Sequence, residues 1–251
     1  MSAHDVRGRV VVFAGPSLPP RHRPDDPRLV WRPPAKAGDG IALSSGAPEA
    51  VVLVDGVFDE TPSIRHKELL MLLGEGVRVL GGASMGALRA AELNPFGMIG
   101  VGRIFTAYAR GRLTGDDEVA VAHAPAELDW RPLSEPLVNV RATLQWALRQ
   151  GVIGRPAAAA VLGAARGQFY RERTWAGVLA VAEGEPACRP GDLDRFRRWL
   201  PSGRVDQKLL DAMACVAAAL ASPPPPARSR PMPPATIFTA ALASQVIARS
   251  A

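Results

Sequence analysis

Residues 77–93 read VRVLGGASMGALRAAEL, and the order of residue types in this stretch sets the fold. The apolar run 77–80 predicts a strand that ends in Gly81 and Gly82; Ser84 and Gly86 follow, and small residues at Ala87, Ala90 and Ala91 open a helix. Gly82, Ser84 and Gly86 spell G-x-S-x-G. Between a strand and a helix that pattern makes a sharp turn, which exposes the serine hydroxyl over the sheet edge. Its glycines let the backbone pass close to neighbouring chain, and the first N–H groups of the helix can hold an anion or oxyanion. The plainer reading is a turn in which Ser84 only caps the helix.

Upstream, residues 51–54 predict a buried strand ending in Asp55-Gly56-Val57-Phe58, and a helix is expected from Ser63, its cap, to residue 73. In that helix His66, Leu69, Leu70 and Leu73 fall at i, i+3, i+4 and i+7, which puts His66 at the start of the face that packs on the sheet. A core histidine bonded to a backbone carbonyl is the alternative to a catalytic one. Residues 10–13 predict the first strand; it stops at Ala14-Gly15-Pro16-Ser17, and a long surface loop runs on to residue 34. Residues 41–43 read as a short strand or as loop. Strands alternating with helices argue for an α/β fold, a compact core around a short, mostly parallel sheet with right-handed crossovers. The loops at Gly15 and Ser17, at Asp55, before His66 and at Ser84 then meet at one sheet edge, the edge where ligands bind.

Downstream, Asn94-Pro95 ends the serine helix, and the glycine-rich residues 97–102 lead into a helix over 103–113 anchored by Ile104, Phe105 and Tyr108. Asp116, Asp117 and Glu118 come next, then a strand-like 119–122 and His123. Three adjacent acids can orient a histidine or hold a magnesium ion, but such a run is more often a solvated turn, and no metal site is expected. From residue 134 the pattern is helical, with helices expected at 134–150, 156–165, 170–181, 192–200 and 205–220. The expected parts are a core over 1–133, a helical half packed on or beside it over 134–222, and a proline-rich linker with a small tail helix over 223–251.

Bulk properties narrow the function. A hydrophobic fraction of 47% fits a globular chain, and neither a secretory signal nor an apolar run of membrane-spanning length is read, so a cytoplasmic protein is expected. Cys188 and Cys215, with four scattered histidines, make neither a disulfide framework nor a zinc spacing. Residues 41–140 hold 8 basic and 13 acidic side chains, a balance of −5, whereas residues 141–251 hold 15 and 7, a balance of +8. Aromatics do not interleave with the arginines, so nucleic acid is not the expected partner; the basic rear suits an acidic protein or peptide.

Five blocks in order resemble the TfuA-like core domain: HKELL at 66–70, GGASMGALRAAEL at 81–93, FGMIGVG at 96–102, DDEVA at 116–120 and LVNVR at 137–141. The likeness runs over about residues 51–141, with FAGPSL at 13–18 as an extension of it. It implies a partner, a YcaO-type enzyme, which uses ATP to activate a peptide-bond oxygen and replace it with sulfur. It further implies a supply of that sulfur, by hydrolysis of the carboxyl-terminal thiocarboxylate of a ubiquitin-like sulfur carrier. No cofactor is expected in this chain, and no P-loop pattern occurs in it.

Given such a substrate, Ser84 is the expected nucleophile, with oxyanion donors at Met85 and in the Gly15 to Ser17 loop. His66 is the expected base and His123 the second candidate, oriented by Asp116, Asp117 or Glu118. Asp55, Gly82, Gly86 and Arg89 complete the substrate-binding set; Arg89 either neutralises the anion or pairs with Glu92 on its own helix. Only the elbow is shared with α/β-hydrolases, because no histidine follows His123. The alternative is a non-catalytic adaptor that docks carrier or precursor peptide on the YcaO enzyme.

Overall fold

Short apolar runs build a five-stranded, wholly parallel sheet in the order β2-β1-β3-β4-β5. The strands are β1 (Val10–Phe13), β2 (Leu29–Arg32), β3 (Ala50–Leu53), β4 (Arg78–Gly81) and β5 (Ile99–Gly100). The computed structural model describes residues 6–44, 46–57, 61–188 and 191–221; the expected linker and tail helix within 223–251 lie outside them. The chain forms two compact units, one running up to Thr114 and resuming at Leu209, the other Gly115–Lys208.

In the first unit both sheet faces are covered, which is why β1 and β3 read as unbroken apolar runs. Alternate residues point to opposite faces. Val11, Phe13, Val51, Leu53 and Val79 share a core with Leu43 of α1 (Asp39–Ser44), Leu69 and Leu72 of α2 (His66–Gly74), and Ala90 and Leu93 of α3 (Met85–Leu93). Val10, Val12, Val52 and Leu80 pack instead with Ala212, Cys215, Val216 and Ala219 of α9 (Gln207–Ala221). Burial, reinforced by the charge of Asp211, pushes the Cys215 thiol up to about 12, as suits a core residue.

Several elements differ from expectation. Strand β2 lies where a surface loop was expected: only Leu29-Val30-Trp31 is apolar between Arg28 and Arg32, too short a run to stand out among prolines. Residues 41–43 belong to helix α1, because the buried Glu68 carboxylate accepts the Gly38 and Gly40 N–H groups and caps its start. That carboxyl sits above the ordinary glutamate range, since burial outweighs its three backbone hydrogen bonds. Helix α2 starts at His66 instead of Ser63, fixed by Glu68 reaching back to the Arg65 N–H at 3.0 Å. The glycine-rich stretch holds the edge strand β5, with the Phe105 ring packed where a Gly100 side chain would be. Helix α4 (Gly102–Ala109) is shorter than expected, and residues 119–122 are not a strand: a 3-10 turn over Asp116–Glu118 leads to a single bridge between His123 and Pro132.

The second unit is helical. Helices α5 (Leu137–Arg149), α6 (Arg155–Gly167), α7 (Trp175–Ala182) and α8 (Asp192–Gly203) enclose Leu137, Val140, Leu144, Val161, Val178 and Phe196. Helix α7 opens at Trp175 because Thr174 caps it, its hydroxyl accepting the Gly177 N–H. Arg173, 1% exposed, donates to the carbonyls of Ala165 and Gln168 at the end of α6 and to that of Glu135. Arg141 grips Glu118 with two donors, Nε at 2.8 Å and a terminal nitrogen at 2.6 Å. Removing one partner of a buried pair strands the other. Arg141→Met is therefore expected to cost about 3 kcal/mol, near the low end of such losses because Arg141 keeps some solvent contact. Replacing Glu118 with leucine as well is expected to return most of that stability in denaturant unfolding.

Candidate functional site

The G-x-S-x-G turn joins β4 to α3 at the carboxyl edge of the sheet. Ala83 holds φ +65°, a left-handed conformation that costs a non-glycine residue of order 1 kcal/mol, and so the turn is strained just before Ser84. Ser84 occupies the N-cap position of α3, yet its side chain caps nothing. Among the described residues no hydrogen bond engages the Ser84 hydroxyl, and the Met85 N–H has no acceptor. The next N–H groups are spoken for: Gly86 donates to Val54 O, and Ala87 to Ser84 O. Ser84, a residue only 3% exposed, thus brings a hydroxyl to the turn next in sequence to a helix-start donor, a pairing suited to attack on a carbonyl and to holding the resulting oxyanion.

Close approach explains the glycines. A Cβ at Gly86 would stand 1.7 Å from Leu53 O, and one at Gly81 2.2 Å from Gly86 O, so α3 leaves the sheet with its backbone against β3 and β4. A Cβ at Gly82 would meet Val101 O at 2.9 Å.

Beside this turn lies the point where strand order reverses, between β1 and β3, the usual binding crevice of such sheets. Asp55 fills it. Its Oδ2 accepts the N–H groups of Gly15 at 2.8 Å and Ser17 at 3.0 Å, and its Oδ1 accepts the Ser17 hydroxyl at 2.5 Å. Sequence reasoning placed these three residues at one edge, and the structure joins them. It also gives the Gly15 and Ser17 donors, assigned above to an oxyanion, a carboxylate of the chain itself.

His66 is the first residue of α2 and faces outward, its side chain 46% exposed, while Leu69, Leu72 and Leu73 carry the buried face. Its Nε2 lies 2.7 Å from Glu92 Oε2, which also accepts Arg89 at 2.8 Å. Arg89 further donates to Ile64 O and to the Ser63 hydroxyl, which ties α3 to the segment before α2. Eight positions separate Ser84 from Glu92, about 12 Å of helical rise. No hydrogen bond joins Ser84 to His66 among the described residues. Glu92 is the residue sequence reasoning missed in this cluster: its spacing from Arg89 was legible, its bond to a histidine on another helix was not.

Burial pushes the Glu92 carboxyl up, but the hydrogen bonds and charges of Arg89 and His66 outweigh it and hold the group below the ordinary range. A depressed folded-state value stabilises the fold above the unfolded value, and that contribution fades as pH falls through the folded one. Stability of the wild type relative to Glu92→Gln is therefore expected to shrink as pH drops below the ordinary glutamate range. Unfolding midpoints at neutral and strongly acidic pH check this, and an unchanged difference contradicts it.

The remaining candidates belong to the unit Gly115–Lys208. Glu118 is the buried partner of Arg141, Asp117 lies 3.8 Å from Arg173, and Asp116 is exposed at the start of its turn. His123 is exposed, with Nδ1 2.8 Å from Ala124 O. Cys188 is half-buried, its thiol pushed up by burial and by Glu185 and Asp192, which argues against a reactive thiolate. No helix among the described residues is long and apolar enough to cross a membrane.

Residues 55–174 match the family model described as TfuA-like protein. No curated protein matches the chain.

Proposed function

We propose that the chain, whose residues 55–174 match the TfuA-like family model and so suggest a YcaO-type thioamidation system, releases the sulfide such a system consumes. Its substrate is the thiocarboxylate at the carboxyl terminus of a ubiquitin-like sulfur carrier, and Ser84 is the nucleophile. The observation that carries this reading is the strained Ala83-Ser84 turn, where the Ser84 hydroxyl and the Met85 N–H have no partner among the described residues. Ser84 Oγ bonds to the thiocarboxylate carbon, the C–S bond breaks, and sulfur departs as hydrosulfide carrying the hydroxyl proton. Water then cleaves the acyl-serine ester, restoring the hydroxyl and yielding a carboxylate and a proton. The departing sulfur accepts the serine proton, so the first step needs no histidine beside Ser84, in keeping with the engagement of His66 by Glu92.

That same engagement favours a second reading. If His66, Arg89 and Glu92 present a surface instead of a base, the chain is an adaptor that brings carrier or precursor peptide to the YcaO enzyme. Purified chain mixed with thiocarboxylated carrier, without the YcaO enzyme, separates the two. Sulfide release at a rate proportional to added chain is the expected result. No release, together with faster thioamidation when the YcaO enzyme is present, assigns the adaptor role.

A further inference from the structure

Helix α4 has no cap of its own. Its N-cap residue is Val101, whose side chain accepts no hydrogen bond, so the first N–H groups of the helix depend on acceptors from elsewhere. The Ile104 N–H finds one on α9, 107 positions along the chain: the carboxylate of Asp211, a residue 3% exposed, accepts it at 2.7 Å. Burying a carboxylate is costly, and a serine or aspartate in place of Val101 would cap α4 locally without that cost. The long-range cap therefore holds something that a local one would leave loose.

Two glycines show what it holds. Gly102 has φ +98°, and a Cβ there would lie 2.4 Å from Asp211 Cγ, so α4 starts flush against the carboxyl group. A Cβ at Gly82, the first glycine of the Ser84 turn, would stand 2.9 Å from Val101 O, 3.3 Å from Cys215 Cβ and 3.4 Å from Asp211 O. The Val101 N–H in turn donates to Gly81 O at 2.9 Å. The turn, the start of α4 and α9 thus close on one another through bare glycine backbone. A left-handed alanine such as Ala83 persists only where its surroundings over-determine it, and these contacts supply one side of that constraint.

We propose that Asp211 is a positioning residue for sulfide release: by fixing the start of α4 against Gly82, it fixes the turn that carries Ser84. The role rests on the hydrolase reading, and it falls on a residue outside the matched residues 55–174.

Amide exchange and steady-state kinetics on the full chain test this. Asp211→Ala is expected to speed exchange of the Gly82 and Gly86 amides, which donate to Leu53 O and Val54 O, by about tenfold or more, while the amides of β1 and β3 keep their protection. The same substitution is expected to lower kcat for sulfide release by about tenfold to a hundredfold, the scale of a small misplacement of a reacting group, with KM for the thiocarboxylated carrier unchanged. Asp211→Asn keeps an oxygen for the Ile104 N–H and is expected to restore most of both readouts. In the Ser84→Ala background, Asp211→Ala is expected to cost nothing further, because its effect passes through Ser84. Wild-type exchange or wild-type kcat in Asp211→Ala overturns the proposal. So does a further loss on top of Ser84→Ala, and so does protection lost equally from β1 and β3, which leaves Asp211 as a core residue only. A wild-type chain that releases no sulfide refutes the hydrolase reading and this role with it, an outcome distinct from release that Asp211→Ala leaves unchanged.

Discussion

Ser84→Ala is expected to lower sulfide release from a thiocarboxylated carrier by about a hundredfold or more, the loss that follows removal of a nucleophile. Stability is expected to change little. The Ser84 hydroxyl makes no hydrogen bond among the described residues, so its deletion strands no partner, and the N-cap position loses nothing because the side chain caps nothing. The strained residue, Ala83, is unaltered. A capping or anion-holding serine would give the opposite pattern, with measurable destabilisation and a rate within a few-fold of wild type. Rates and denaturant midpoints measured on one preparation therefore discriminate the two roles.

Gly86→Ala is expected to have the largest effect on the fold. The added methyl would lie 1.7 Å from the Leu53 carbonyl oxygen, and the obstacle is backbone of a central strand, which no side-chain rotation relieves. Overpacking a well-filled core costs about 1–3 kcal/mol, and a clash with strand backbone stands at or beyond the upper end. Against a total of roughly 5–15 kcal/mol, that is a large share. Gly163→Ala is the control: on α6, nothing lies within 4 Å of its added carbon, and it is expected to stabilise by about 0.5–1 kcal/mol through helix propensity. A denaturant midpoint for Gly86→Ala equal to that of wild type would refute the packing account.

What could be read from the sequence was whatever depends on near neighbours. Strands β1, β3 and β4 stood out because both their faces are buried, and the alternation of strands with helices put Gly15, Ser17, Asp55 and Ser84 at one edge before any coordinate. Contacts between distant residues were not legible. Helix α1 is fixed by Glu68, some 28 residues on from Gly40, and nothing local to residues 39–44 announces it. The helical spacing that correctly buried Leu69 and Leu73 also drew His66 onto the apolar face, although a first-turn residue is free to turn outward, as His66 does toward Glu92. The blocks that carried the resemblance acquire a physical meaning only in pairs. HKELL meets GGASMGALRAAEL through His66, Glu92 and Arg89, and DDEVA meets LVNVR through Glu118 and Arg141.

The covering of one sheet face by α9 dictates a schedule for synthesis. Val10, Val12, Val52 and Leu80 leave the ribosome early, while Ala212, Val216 and Ala219, which shield them, emerge more than a hundred residues later. At about 5–20 residues per second the nascent sheet stays open on that side for roughly 7–26 seconds. The segment Gly115–Lys208, which makes up the second unit, is synthesised in that interval. The first part of the chain to be translated is in this way the last to close, and a nascent chain stalled before residue 209 offers chaperones a bare β-surface.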